Sequence, residues 1–226
     1  ARARFREYVD VIYGCWKDEP LTFKGDFIDV ADLNVLPKPV QKPIPMHIAV
    51  STSPESVDYA ASKAMPIMVG GPTAVMGQVP QVLEMWHERM EHYGHPHEHI
   101  DLGVAQDVYV APTMEEAERD IAGLEDVINV EFHRIGNPKS ASGAIPDGYK
   151  RWTHRDKDRV VGGEKAKEIG ILPLVGTPEV VGERIEVLRG LGINSIRCNF
   201  GKAGLDSGKM QRCMHMFAEE VMPHFT

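Results

Sequence analysis

Met46-His47-Ile48-Ala49-Val50-Ser51-Thr52-Ser53-Pro54-Glu55-Ser56-Val57 is the stretch on which the fold turns. Its first half is a short apolar run, the pattern of a strand buried on both faces. Its second half is a helix start, with Ser53 as N-cap, Pro54 at the first helical position and Glu55 in the first turn. Val57, Ala60 and Ala61 continue the helix. A strand running straight into a helix predicts a parallel sheet wherever the alternation repeats.

Downstream it does repeat. Ile67-Met68-Val69 reads as a second strand ending in Gly70-Gly71, and Val79 to His92 as its helix. Leu102 to Val110 is a third strand, and Thr113-Met114-Glu115-Glu116 is a capping box for a helix reaching about Phe132. Thr177-Pro178-Glu179 opens a helix that stops at Gly190 and Gly192; Ile193 to Phe200 is a fourth strand. The last helix runs from Ser207 to about Val221, with Met210, Met214, Phe217 and Val221 on one face as a core stripe. Upstream, Phe5, Tyr8, Val9, Ile12 and Trp16 recur at helical spacing, Leu21 to Ile28 alternates about Gly25 as a hairpin, and prolines keep Leu36 to Pro43 extended. The first helix opens without an N-cap and the chain without Met, the pattern expected of a chain cut upstream. Four strand–helix units and a leading helix amount to about half of a (β/α)8 barrel, which needs eight units and about 250 residues, or else to a small open sheet.

Composition narrows the function classes. The 226 residues are 42% hydrophobic and 26% charged, an ordinary globular profile compatible with a single domain over 1–226. A net charge of −8 argues against a nucleic-acid footprint, which needs a basic face. No apolar run approaches the ~18 residues of a membrane span, and Ala1-Arg2-Ala3-Arg4, with no apolar h-region behind them, do not read as a signal peptide. Cys15, Cys198 and Cys213 have no CxxC spacing and read as buried or free thiols of a cytoplasmic protein.

Several segments are together similar to the luciferase-like, flavin-dependent monooxygenase family. They are Glu7-Tyr8-Val9-Asp10-Val11-Ile12 with Trp16, Phe23-Lys24-Gly25-Asp26-Phe27, Leu36-Pro37-Lys38-Pro39-Val40-Gln41-Lys42-Pro43 and Ser53-Pro54-Glu55-Ser56. Farther on come Val175-Gly176-Thr177-Pro178-Glu179 and the ending Phe217-Ala218-Glu219-Glu220-Val221-Met222-Pro223-His224-Phe225. The resemblance implies an incomplete (β/α)8 TIM barrel, with the four strands here corresponding to barrel strands five to eight. It implies reduced FMN, supplied by a separate reductase or NAD(P)H, used with O2 on a small organic substrate. It leaves room for a deazaflavin-dependent dehydrogenase on the same barrel, a non-catalytic barrel subunit, or a truncated fragment. Half a barrel leaves two strand edges unpaired, so the chain alone is expected to be poorly soluble or paired with another copy.

The residues that carry chemistry follow from position. The loop from Val50 to Ser56 lies at the C-terminal end of a strand, the active-site face of such barrels. A helix N-terminus offers backbone N–H groups and a positive dipole end to a phosphate, and Ser51, Thr52, Ser53 and Ser56 add hydroxyl donors. The plainer reading makes Ser53 an N-cap in a polar turn. The family's FMN phosphate site looks like this loop. Gly70 and Gly71 either let backbone approach a flavin or form a turn needing positive φ. The stretch from Gly136 to Gly163 looks like the family's mobile loop, which the resemblance implies is a lid that excludes water, with Lys150 and Arg155 as candidates to meet an anionic substrate; the plainer reading is a disordered, solvated charge run. His92, His95, His97 and His99 are clustered, but the helix-to-strand connection that holds them belongs to the face opposite the active site, so no functional metal is expected. No catalytic acid or base can be named from sequence order alone.

Overall fold

The computed structural model describes residues 2–42, 44–51, 53–70, 78–122, 173–201 and 205–225. It divides into two compact units, Ala1–Pro45 and Met46–Thr226.

In the first unit, helix α1 (Arg2–Cys15) accompanies an antiparallel hairpin of β1 (Leu21–Lys24) and β2 (Asp29–Leu33). The hairpin was expected to turn at Gly25, with Phe27 and Ile28 already in its second strand. Instead the turn spans 25–28, closed by the Gly25 N–H donating to the Ile28 carbonyl at 2.8 Å. The carboxylate of Glu7, on α1, accepts from the backbone N–H groups of Asp26 (2.9 Å), Phe27 (3.0 Å) and Ile28 (3.2 Å). One acid thus satisfies three donors that a strand ladder would otherwise take. A Cβ at Gly25 would collide with that carboxylate, which explains the glycine. The helical stripe is only partly core: Val9 is buried, whereas Phe5, Tyr8 and Ile12 are exposed. A two-stranded hairpin has too little surface to cover a whole helix face.

The second unit alternates strand and helix: β3 (Ile48–Val50), α2 (Pro54–Ser62), β4 (Ile67–Val69), α3 (Val79–His92), β5 (Leu102–Val110), α4 (Met114–Ile121), β6 (Leu174–Gly176), α5 (Pro178–Gly190), β7 (Ser195–Asn199) and α6 (Ser207–Met216). All pairings are parallel, in the order β3-β4-β5-β6, with β7 also on β5. The described strands make an open sheet and do not close a barrel. β6 was not expected, because Val175-Gly176 read as the approach to a helix; three residues are too few to show a period. β5 is long enough to pair with β4 and β7 along its first part and with β6 along Val108–Val110.

Thr113 and Thr177 cap their helices as their sequences imply, accepting from the N–H groups of Glu116 (3.1 Å) and Val180 (3.5 Å). The stripe expected on the last helix is rotated. Cys213, Phe217 and Val221 are buried, while Met214 is half exposed. The helix passes through a π turn (Phe217–Val221) and a 3-10 turn (Met222–His224) at its end. Cys213 is buried because it covers backbone: Val110 N–H donates to its Sγ at 3.1 Å, past the residues of β5 that β7 pairs. Cys198 is half-buried, and burial with Cys213 nearby pushes its thiol up to about 11.

Candidate functional site at the strand ends

The two faces of the sheet differ in kind. Ile48, Val50, Ile67, Val69, Val104 and Val108 are buried. With them go Val57, Ala60 and Ala61 of α2 and Val82, Trp86 and Met90 of α3, all wholly buried. Ala49, Arg197 and Asn199 point the other way and are exposed, with Met68, Ala105, Asp107 and Ser195 half-buried beside them. Register places Ala105 beside Arg197 and Asp107 beside Asn199. The expectation that β3 is buried on both faces therefore fails at Ala49: its apolar neighbours pack under helices, and nothing described covers the other side.

Most of the expected phosphate residues gather where β3 and β4 end. Ser51 follows β3 directly and is half-buried. Gly70 N–H donates to the Val50 carbonyl at 3.2 Å, extending the ladder by one bond and bringing Gly70 alongside the start of the Ser51 loop. Gly94, Gly176 and Gly192 are the described glycines with positive φ, so the positive-φ turn reading does not hold for Gly70. Ser53 stands at the N-cap of α2 in extended conformation, with its carbonyl accepting from Ser56 N–H (3.1 Å) and Val57 N–H (3.2 Å). Its side chain is not the cap the sequence implies: the Ser53 hydroxyl donates to Glu55 Oε2 at 2.7 Å. An acid at the start of a helix is favoured by the dipole and competes for a short hydroxyl. Ser56 is half-buried on the first turn. Thr52, Gly71 and the stretch 136–163 lie outside the described residues.

A second polar group at the C-terminal end of β5 escaped the sequence reading. The Tyr109 hydroxyl donates to Asp120 Oδ2 at 2.8 Å, and Lys209 Nζ reaches Asp120 Oδ1 at 2.6 Å. The Asp120 side chain is only 2% exposed. Its bond from Lys209, then that from Tyr109, holds its carboxyl below the usual carboxylate range. Burial first, then Asp120, pushes the Tyr109 hydroxyl up to about 12. Arg212 pairs with Glu116 alongside. This cluster ties α4 and α6 to β5 with its charges matched among themselves. Its members lie up to 100 residues apart in the chain, so only the polar tip of Tyr109 at a strand end gave any sign of it. For the inner face the sign was plainer: Ser195, Arg197 and Asn199, each two apart and alternating with Ile196 and Cys198, mark a face that is not packed on helices.

The histidines sit elsewhere. His97 packs against His87 (ring centroids 5.0 Å) and Trp86 (5.8 Å) on the α3-to-β5 connection. Burial, then the neighbouring His97, pushes the His87 imidazole below its ordinary range. Among the described residues no three His, Cys, Asp or Glu side chains are grouped to hold a metal ion, and no helix is long and apolar enough to cross a membrane.

The sheet and its strand-end loops resemble known proteins. The chain is 28% identical over 202 residues to an FMNH2-dependent dimethylsulfone monooxygenase of Pseudomonas putida, covering 87% of this chain and 53% of that one. It therefore spans about half the length of the curated relatives it matches. The structure of the monooxygenase RslO1 from Streptomyces bottropensis superposes with a TM-score of 0.67 at 23% identity, over all of this chain and 62% of that one. The coenzyme F420-dependent tetrahydromethanopterin reductase of Methanopyrus kandleri gives a TM-score of 0.65 at 18% identity, over 98% of this chain and 63% of that one. These superpositions establish the fold, that of the luciferase-like TIM barrels. The luciferase-like monooxygenase family model matches residues 1–195, most of the length, and the chain belongs to that family.

Proposed function

We propose that the protein carrying this chain is a flavin-dependent monooxygenase, using reduced FMN and O2 to oxidise a small organic substrate. Both units would then be parts of one barrel domain. The observation that carries the reading is the junction of β3 and α2, where Ser51, Ser53 and Ser56 stand at a helix N-terminus and the Gly70 N–H, at the end of the next strand, bonds the Val50 carbonyl just before them. A phosphate there would receive backbone N–H groups, the positive end of the α2 dipole and hydroxyl donors. Thr52 and Gly71 are assigned to the same site from the sequence. Glu55 is the one local feature that opposes an anion. It is exposed, so it can swing into water as Ser53 turns toward a phosphate.

Reduced FMN supplies the oxygen-activating chemistry when bound. The residues of this chain hold the phosphate and build one wall of the pocket, and the substrate lies against the inner face of the sheet. Lys150 and Arg155 of the 136–163 stretch are assigned to a lid over it. A separate flavin reductase or NAD(P)H as the source of reduced flavin, a homo-oligomeric assembly and a cytoplasmic setting complete the proposal.

The fold neighbour that uses coenzyme F420 favours a second reading, a deazaflavin-dependent dehydrogenase, which the same phosphate loop would serve. Titrating the whole protein with FMN while following tryptophan quenching separates the two. Saturable binding, weakened about 10-fold or more when Ser51, Thr52, Ser53 and Ser56 are replaced by Ala, is the expected result. Binding that ignores the replacements moves the phosphate elsewhere, and no FMN binding at all favours the deazaflavin enzyme or a barrel without a cofactor.

A further inference from the structure

The inner face of β7 places a fixed positive charge where a barrel normally packs apolar side chains. Ile196 and Cys198 turn toward the helices, as the half-burial of both and the Cys198–Cys213 proximity show. Arg197 therefore projects from the opposite face, where it is exposed. Among the described residues no hydrogen bond or ion pair reaches its guanidinium. Asp107 is the one acid of the described strands on that face. Register sets it beside Asn199, and it does not pair with Arg197.

The surroundings of Arg197 are small. Its partner across the ladder is Ala105, and the next inward residue on β5 is Gly103. Met68 lies over Gly103 so closely that a Cβ there would come within 2.8 Å of its Sδ. Barrel interiors are ordinarily filled by layers of bulky branched residues. Here Met68 fills the space over Gly103, and Ala105 alone keeps the flank of the arginine low. A guanidinium stays ionised at any working pH, and enclosing it without a counter-charge costs several kcal/mol. An anionic ligand lying against this face would supply that counter-charge, and Arg197 is exposed to it beside the small Ala105.

We infer that Arg197 is a specificity-determining residue of the substrate pocket, pairing with an oxyanion, carboxylate or sulfonate in class, carried by the small organic substrate. The inference rests on the flavin monooxygenase reading and deepens it. Two oxygens of a carboxylate or sulfonate fit the planar fork of the guanidinium, and a neutral substrate would leave the charge unmatched. Recognition would thus fall to the inner face of β7, while the β3–α2 junction holds the cofactor phosphate.

The test uses the whole protein with FMN bound and measures binding by calorimetry. The probes are methanesulfonate and dimethyl sulfone, two molecules of nearly the same shape, of which only the first is charged. The wild type should bind the anion at least about 10-fold more tightly than the sulfone, the scale of a charge-assisted bidentate contact. Arg197→Met should lose that preference, with the two probes binding within about 2-fold of each other, and Arg197→Lys should recover part of it. No anion preference in the wild type, or one that survives Arg197→Met, overturns the inference. A melting temperature that falls in Arg197→Met with anion preference intact overturns it too, since Arg197 then pairs with a carboxylate of the protein itself. Failure of FMN to bind in the parallel titration sinks the flavin reading instead.

Discussion

The two faces of the parallel sheet are made by the same strands, residue by alternate residue, yet they obey different rules. The helix-covered face is mostly Ile and Val, wholly excluded from water at Ile67, Val69 and Val104, with Gln106 buried among them and Cys198 beside it. The open face carries Ala49, Ala105, Asp107, Ser195, Arg197 and Asn199. Apolar burial at ~25 cal/mol per Å2 accounts for most of the first face. The open face contributes little to burial, and its residue types are ones a stable core would not choose. Stability and recognition are thus separated by the strand period of two.

Ile67→Ala should break the covered face hardest. A large-to-small change at a wholly buried site costs about 2–5 kcal/mol, read as a lower urea midpoint with an unchanged m-value. Ala49→Ser, directly across the ladder at Met68 and on the open face, should stay within about 0.5 kcal/mol. Equal losses at the two positions would erase the distinction.

Asp120→Asn comes next and asks whether a polar cluster at the strand ends is a structural tie. It takes the charge from a buried carboxylate to which Tyr109 and the partly exposed Lys209 both donate, and should cost about 1–3 kcal/mol near neutral pH. The sign with pH follows from the lowered carboxyl of Asp120. A depressed acid contributes stability that is present above its unfolded pKa and lost as pH falls through the folded one. The wild type should therefore lose its advantage over Asp120→Asn in acid, below the ordinary carboxylate range, and keep it from there upward. A difference that persists unchanged into acid would mean the carboxylate charge is not what holds α4 and α6 to β5.

The smallest effects compare two N-caps. Thr113→Ala removes a side-chain cap and should cost about 1 kcal/mol of unfolding free energy. Ser53→Ala should cost only a few tenths, since the Ser53 hydroxyl caps nothing and bonds Glu55. Glu55→Gln should tighten FMN binding by a few-fold, about the 0.3–1 kcal/mol of a charge at a helix end. Weaker binding on removing Glu55 would mean that the acid organises the loop and does not compete with the phosphate.

Much of this architecture was legible before any coordinates. Residues 46–57 show a strand entering a helix, and the repeats at Ile67, Leu102 and Ile193 predict the parallel pairing that the sheet displays. Thr113 and Thr177 cap as written, because a cap reaches only three residues along the chain. The same local rule misled at Ser53, where an acid two residues on takes the hydroxyl. It misled again on the last helix, where spacing pointed to Met210 and Met214 but the edge of β5 selected Cys213.

What the sequence by itself determined is therefore the order and type of the elements, their parallel arrangement and the family, all of which rest on contacts a few residues long or on patterns within one element. Only the tertiary structure decided that Glu7 closes a turn some twenty residues away, that Cys213 covers a strand edge and that Asp120 gathers Tyr109 and Lys209. Each of these depends on which side chain arrives from a distant element, and neither propensity nor periodicity carries information over that separation.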